Sequence, residues 1–597
     1  MGIDALTHND AGVDASPASP EAWSDWVSAT RLRGHLLKNT LGDWLSLYGE
    51  DNGFARDETF DGYDERLVFA PFIMEQGIRF EEAVARHLSS FHELTTISRE
   101  PEDVRELSAA QRTFHALADG RPIVHQAVLW NPETKTYGAA DFLMRSDIFD
   151  KLFPEHLAPG EAETPAPDLG GAWHYIVVDA KFTTVHLSKQ GEVANSGSSP
   201  AYKAQLYVYN DALSRLQGYT PRHAFLLGRR WQQGQERREN AMERLGPVTM
   251  DAELRAHVEA AGAWVRKLRA EGGQWHPLPT PTVPELWPSD ADWPWENAGK
   301  RIVQELHDLT QLWQVGPEKR DRAVRAGITS WRDPRATAET LGVTGQTYQP
   351  VLEAILDVHR NDGPVVRPAH VRTAEGEWRE RPPLEFFVDF EYVTDLNDDF
   401  TGFPECGGQP IIFMIGCGHM EGGAWRFEQF TADRLDESSE ARAIDAWLAH
   451  MRQTQSRLGS GDEPRLFHWA PAEEINYETA YNSAKRRHPQ KGWPVVNWFD
   501  LLRRVVRKEP VVIRGAMGFG LKAVARAFRE HGLIATDWGS SKVDGMGAMV
   551  GAWRCDEEAA RHGVRLIDIP LMGEIATYNE VDCKVMMEIL EYLRTYH

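Results

Sequence analysis

The sequence is poor in cysteine, in positive charge and in long apolar runs. Its four cysteines, Cys406, Cys417, Cys555 and Cys583, include no C-x-x-C pair. That excludes a disulfide framework, a zinc ribbon and a cysteine-ligated iron–sulfur cluster, and leaves reduced, mostly buried thiols as the expectation. No stretch approaches the ~20 consecutive apolar residues that span a bilayer, so no membrane contact is expected. The 65 Lys and Arg against 89 Asp and Glu give a formal net charge of −24. This is the wrong sign for coating DNA by bulk electrostatics, so any nucleic-acid contact has to be local. Two basic runs, Lys485, Arg486, Arg487 and Arg503, Arg504, Arg507, Lys508, read as solvated helix faces. The stretch "GAMGFGLKAVARAF" lacks the G-x-x-x-x-G-K-[ST] pattern of a phosphate loop, so it reads as a turn before a packed helix, with no ATPase. Residues 1–20 have neither a basic start nor an apolar h-region; they read as a polar, disordered tail rather than a signal peptide, with the cytoplasm following by default.

What is present is enough chain for several cores. At 597 residues, 42% of them hydrophobic, the length suggests two to four domains. The fold class is multidomain α/β. Residues 21–273 open with helical periodicity, then give the strand-like runs "RPIVHQAVLW", "TYGAADFLMRSD", "AWHYIVVDAKFTT" and "HAFLLGRRW", with the helical "AYKAQLYVYNDALSRL" between the last two. Residues 274–375 begin rich in Pro and Trp. They continue as two helical runs joined by "VGP", which read equally as a plain helical linker or as a helix–hairpin–helix-like segment whose turn can point backbone N–H groups at a phosphate. Residues 376–597 return to α/β, with strands near 384–391, 410–417, 424–430 and 465–469 followed by helices. The tryptophans, 21 in number, read mostly as core anchors.

The run "YIVVDAKFTTVHL", residues 175–187, ends a buried strand in Asp179 and Lys181. Residues i and i+2 of a strand share a face, so both side chains enter one pocket while Ala180 faces the other layer. An isolated D-x-K is usually an ordinary ion pair. Here Asp141 closes another strand-like run after Gly138, and Glu81 follows Gly77 on a helix. Carboxylates gathered in one pocket repel unless a cation is bound, and a hard divalent ion with oxygen ligands, Mg²⁺ or Mn²⁺, suits them. Such an ion activates water for in-line attack on a phosphodiester, with Lys181 orienting that water or stabilising developing charge.

In order and spacing, Gly77 to Glu81, Gly138 to Asp141, Asp179 to Lys181, and Gln205 to Tyr209 in "AQLYVY" resemble the RecB-like branch of the PD-(D/E)XK nucleases. "SATRL" at 28–32 is similar to the opening helix of that family. The resemblance implies a restriction-endonuclease-like domain with Glu81, Asp141 and Asp179 as metal ligands. It further implies that Gln205 and Tyr209, one turn apart on a helix face, support the lysine and contact the substrate backbone. The four-cysteine iron–sulfur clasp of some relatives is missing, and no cluster is expected.

"LEFFVDFEYV" repeats the device, with Asp389 and Glu391 on one strand face. "YNEVDCKVM" puts Tyr578 and Asp582 one helical turn apart. Together these resemble the RNase H-like exonucleases of the DEDD class in its tyrosine form. The middle acid departs from the usual Asp: "HWAPAEE" offers Glu473, matching an H-W-x-x-x-E variant, with Glu474 in reserve. Asp500 is a rival ligand read instead as an element-terminal cap. The resemblance implies Asp389, Glu391, Glu473 and Asp582 as metal ligands and Tyr578 as the group that positions water.

The two constellations in this order resemble bacterial RecB-like nucleases fused to an RNase H-like domain. This implies a metal-dependent deoxyribonuclease acting on DNA that is single-stranded or has single-stranded ends, in repair or phage defence, with a second 3′–5′ exonuclease-like site and a helicase as a separate partner. RNA is an alternative substrate, through an exonuclease with only the second site active; a nucleic-acid-binding scaffold without catalysis is the alternative from another class.

Overall fold

Period-two alternation and helical periodicity set the elements. The computed structural model describes residues 2–17, 19, 21–283, 285–286, 293–475, 477, 488, 490–539 and 542–597. The chain is mixed α/β and divides into two compact units built from interleaved segments. Unit 1 comprises Met1–Arg56, Ile73–Gly299 and Asp398–Gly408; unit 2 comprises Asp57–Phe72, Lys300–Asn397 and Gln409–His597. The two units are not divided at the contiguous boundaries expected at 273 and 375, and aromatic contacts are among those that tie the interleaved segments to their units. Phe400, from the short returning segment, sits 5.9 Å from Phe80 and 5.8 Å from Phe182, ring centroid to centroid, in unit 1. Phe72, from the early segment, stacks at 4.5 Å on Trp553 in unit 2.

Helix α1 (Phe69–Ser89), in unit 1 from Ile73 onward, leads to strand β1 (Leu94–Thr96), helix α2 (Leu107–Ala118), and the antiparallel pair β2 (Ile123–Asn131) and β3 (Thr136–Arg145). Strand β4 (Tyr175–Leu187), helix α3 (Ser199–Gln217), strands β5 (His223–Gln233), β6 (Glu236–Arg238) and β7 (Gly246–Thr249), and helix α4 (Ala252–Glu271) follow. The sheet order is β1-β2-β3-β4-β5-β6, with β7 beside β5 and Val27–Ser28 beside β3. Strands β4 and β5 run parallel, linked by α3 in the manner that a parallel crossover requires. From Tyr175 to Ala180 every residue of β4 is buried, which explains the unbroken apolar run that a strand covered on both faces shows. Phe80, Ala83, Val84 and Leu88 of α1 share a core with Phe142, Ile176, Val178 and Phe225.

The first residues are not a free tail. Gly2–Leu6 form a short 3-10 helix packed against α2, α3 and β2, with Leu6 fully buried. A single apolar pair, Ala5 and Leu6, anchors a segment whose composition is otherwise polar.

Unit 2 holds helices α5 (Pro317–Arg325) and α6 (Gln349–Arg360), then β8 (Glu385–Val393), β9 (Ile411–Glu421), β10 (Ala424–Thr431), α7 (Glu437–Arg457), β11 (Arg465–His468) and β12 (Trp498–Asp500). It closes with α8 (Leu521–Glu530), α9 (Gly545–His562) and α10 (Pro570–Tyr596). The sheet order is β10-β9-β8-β11-β12, with β9 antiparallel to both neighbours and β8, β11 and β12 parallel. Alternate residues of β8 divide between two layers. Phe386, Val388 and Phe390 pack with Ile444 and Trp447 of α7, whereas Phe387 packs with the cluster that includes Ile575 and Val585 of α10. Asp389 and Glu391 therefore fall on the α10 side.

In the run read as solvated, Arg503 and Lys508 are exposed as expected, whereas the Arg504 guanidinium lies 4.5 Å over Phe499 and that of Arg507 lies 5.2 Å over Trp313. Lys485, Arg486 and Arg487 lie outside the described residues. The three cysteines Cys417, Cys555 and Cys583 are buried, and all four are free. Among the described residues, no helix is long and apolar enough to cross a membrane.

Candidate active sites

The unit 1 constellation forms where the β3–β4 ladder stops. The last pair is Phe142 with Val178, and one residue further along, the strands offer Asp141 and Asp179 to one cleft. Asp141 Oδ2 accepts the Ala180 N–H at 2.8 Å. Lys181 Nζ lies 2.6 Å from Asp179 Oδ2 and 3.6 Å from Asp141 Oδ2, so the shared strand face does what the spacing promised. Glu81, on α1, takes hydrogen bonds at Oε1 from His125 Nε2 at 3.0 Å and from the Gln126 amide. The same amide approaches Asp141 Oδ1 at 3.4 Å. Gln205 donates to the Tyr209 hydroxyl at 2.8 Å, and the Tyr202 ring lies 5.9 Å from Lys181 Nζ.

Gly138 has a steric role. A Cβ there would stand 2.7 Å from Tyr209 Cε1 and 3.2 Å from its hydroxyl, so only glycine lets the ring lie against β3.

Electrostatics tie these groups together. Burial and then the neighbouring Asp179 charge push the Asp141 carboxyl well above its usual range. Burial would lower the Lys181 ammonium, but Asp141 and Asp179 beside it lift it above its ordinary value. Burial would raise Glu81, yet the hydrogen bonds from His125 and Gln126 hold it below. Asp179 is fully buried and its Oδ1 receives no hydrogen bond. Hard oxygen donors with one orphaned buried oxygen fit a divalent ion such as Mg²⁺ or Mn²⁺.

In unit 2 the convergence is tighter. Asp389, Glu391 and Asp582 each place a carboxylate oxygen within 4.8 Å of the others. Among the described residues this is the one group of ligand-type side chains that meets that distance; Glu81, Asp141 and Asp179 do not, with Lys181 and the Gln126 amide standing among them. Burial, followed by repulsion from Asp582, raises both Asp389 and Glu391 well above the usual carboxylate range. Burial likewise pushes Asp582 up to about 7. The cluster fits a hard divalent cation for the same reason that it strains without one.

Its frame is built by neighbours that local sequence patterns do not reveal. Asn579 Nδ2 donates to Asp389 Oδ2 at 2.7 Å, and Gly416 leaves it room, because a Cβ there would stand 2.0 Å from Asn579 Oδ1. Trp538 Nε1 donates to Asp582 Oδ1 at 2.8 Å. Lys522, in the first turn of α8, the helix expected after the Gly-rich turn, places Nζ 4.3 Å above the Tyr578 ring; burial lowers its pKa, opposed by Asp582. Burial and the Asp582 charge raise the Tyr578 phenol, which therefore stays protonated.

Glu473 is buried and adds to the repulsion felt by Asp389, Glu391 and Asp582, but its own carboxylate faces His468 Nδ1 at 3.2 Å. Glu474 is half-buried. Burial would lower His468, but the hydrogen bond with Glu473 raises it. Asp500 ends β12 and accepts the Arg503 N–H at 2.6 Å, as a capping residue does, while its Oδ2 is unpaired. His125, Gln126, His468, Lys522, Trp538 and Asn579 are thus the site residues that sequence reasoning missed. The one signal it offered was adjacency: Asn579 follows Tyr578, and His468 precedes Trp469 in the motif that led to Glu473.

No protein-family model, no curated protein and no solved structure matches this chain.

Proposed function

We propose that this chain is a metal-dependent nuclease that hydrolyses DNA phosphodiesters at a PD-(D/E)XK-type site in unit 1 and trims 3′ ends at an RNase H-like, exonuclease-type site in unit 2. The observation that carries the reading is the convergence of half-buried Asp389 with buried Glu391 and Asp582 on one point, supported by the Asp141, Asp179 and Lys181 cluster in unit 1. The order β10-β9-β8-β11-β12, with the two acids on the central strand, supports the RNase H-like assignment. The mixed sheet carrying Asp141 and Asp179 on adjacent strands supports the other.

Mg²⁺ or Mn²⁺ held by Glu81, Asp141 and Asp179, or by Asp389, Glu391 and Asp582, would supply Lewis-acid chemistry to a water and a phosphate oxygen. The chain's own residues do the rest. Lys181 keeps its proton and offers an ammonium to the attacking water or to the charge that builds on phosphorus-bound oxygen. The Tyr202 ring lies 5.9 Å from that ammonium, and Gln205 fixes the Tyr209 hydroxyl. In unit 2, Tyr578 keeps its hydroxyl proton and so acts as a donor, orienting the water rather than deprotonating it. Asn579 and Trp538 hold Asp389 and Asp582 in place. The water gives up a proton to solvent as its oxygen bonds to phosphorus, the bond from phosphorus to the leaving oxygen breaks, and that oxygen takes up a proton from solvent.

A second reading is an RNA-processing exonuclease with only the unit 2 site active, favoured by the fact that the three-carboxylate convergence is found there. End-labelled single- and double-stranded DNA and RNA, incubated with the protein and Mg²⁺ or Mn²⁺, test both readings. Lys181→Ala is expected to remove one cleavage pattern and Asp389→Ala the 3′–5′ ladder. Products unchanged in both variants would end the proposal; loss of RNA products alone in Asp389→Ala would select the second reading.

A further inference from the structure

Two consecutive strand residues normally point to opposite faces, yet His125 and Gln126 both bond Glu81. The backbone explains how. Gln126 has φ +50°, in the left-handed region that non-glycine residues rarely adopt. The β2–β3 ladder pairs His125 with Phe142 and Ala127 with Ala140 but skips Gln126, the residue facing Asp141. The kink breaks the alternation and swings the amide inward, between Glu81 and Asp141. Non-glycine residues persist in that region where the surrounding structure holds them, often at functional sites.

We propose that Gln126 is the positioning residue of the unit 1 site, its left-handed backbone setting the amide against Glu81 and Asp141 so that both carboxylates present their oxygens to one divalent ion. This rests on the nuclease reading of unit 1. Neither carboxylate reaches the other by backbone pairing: Glu81 comes from α1 and Asp141 from β3. Among the described residues, the amide is the one side chain that hydrogen-bonds both of them. Replacing an outer partner of a metal ligand typically lowers metal affinity ~10- to 100-fold.

The test uses the full chain carrying Asp389→Ala, so that Mn²⁺ binding reports on unit 1, with binding followed by calorimetry or Mn²⁺ spin resonance and folding by thermal melting. Gln126→Gly is expected to melt no lower than its parent, because glycine takes φ +50° freely, while its Mn²⁺ dissociation constant rises about tenfold or more. Gln126→Ala, which keeps the strain and loses the amide, is expected to show the same loss of affinity with a lower melting temperature. Unchanged Mn²⁺ affinity in both variants, or a melting loss in Gln126→Gly without an affinity loss, overturns the proposal. Asp141→Asn separates this failure from that of the underlying reading. If it too binds Mn²⁺ like the parent, the unit 1 site is not a metal site and both fall; if it loses binding while the Gln126 variants do not, only the positioning role falls.

Discussion

Replacing Asp582 by Asn removes one charge from the unit 2 cluster while keeping its size and, through Oδ1, its hydrogen bond from Trp538 Nε1. Asp582 is buried, and its pKa rises from an ordinary 3.8 to about 7. At about 1.4 kcal/mol per pKa unit, keeping this carboxylate ionised in the folded protein costs on the order of 4 kcal/mol. The sign follows from proton linkage. Below about pH 4 the group is protonated whether folded or unfolded, and the penalty is absent. Between about pH 4 and 7 the folded state binds a proton that the unfolded state has released, so stability falls as pH rises; above 7 the penalty is complete. Metal-free Asp582→Asn is therefore expected to melt higher than wild type at pH 8, by up to ~10 °C at the few degrees per kcal/mol usual for domains of this size. The gap should close toward pH 4. Adding Mn²⁺ at a hundred times its dissociation constant returns about 2.7 kcal/mol to wild type and much less to the variant, so the order narrows or reverses. Differential scanning calorimetry in chelator and in Mn²⁺, at pH 4, 6 and 8, reads all of this. A variant no more stable than wild type in chelator at pH 8, or a gap independent of pH, would refute the account of Asp582 as a carboxylate kept ionised against burial.

Gly138→Ala forces a methyl group to within 2.7 Å of Tyr209 Cε1; we expect a loss of about 1–3 kcal/mol by overpacking and a fall in Lys181-dependent cleavage, with Asp389-dependent cleavage retained, all checked by melting and by product analysis. Lys522→Met removes the cation beside Asp582 and Glu391. Mn²⁺ affinity of the unit 2 site should then rise on the order of tenfold, as a like charge is withdrawn, while turnover falls; calorimetry and single-turnover kinetics separate the two effects.

The strands and helices that carry the sites were legible because their signals are local. The shared face of Asp179 and Lys181, and of Asp389 and Glu391, follows from the two-residue period of a strand, and the pairs Gln205 with Tyr209 and Tyr578 with Asp582 follow from the helical turn. The apolar run of Tyr175 to Val178 announced a strand buried on both faces. What stayed hidden depends on distant chain segments. A lysine in the first turn of a helix has no sequence mark that places it over Tyr578, and Gln126 looks like any strand residue until its φ is known. The short strand Trp498–Asp500 is too brief for periodicity to register. Segments Asp57–Phe72 and Asp398–Gly408 join their units through ring contacts and hydrogen bonds to residues far away in sequence, which composition does not record. Glu473 was found by motif order, but its engagement with His468 came from the way β11 ends.

The most direct measurement is phosphodiester cleavage by the purified chain under single-turnover conditions, with a single-stranded oligonucleotide labelled at each end in turn, Mn²⁺ present, and the Lys181→Ala/Asp389→Ala double variant run beside wild type. The account predicts Mn²⁺-dependent products from wild type and none from a folded double variant. Products at the wild-type rate from the double variant, or none from wild type with any divalent ion on DNA or RNA, would contradict it.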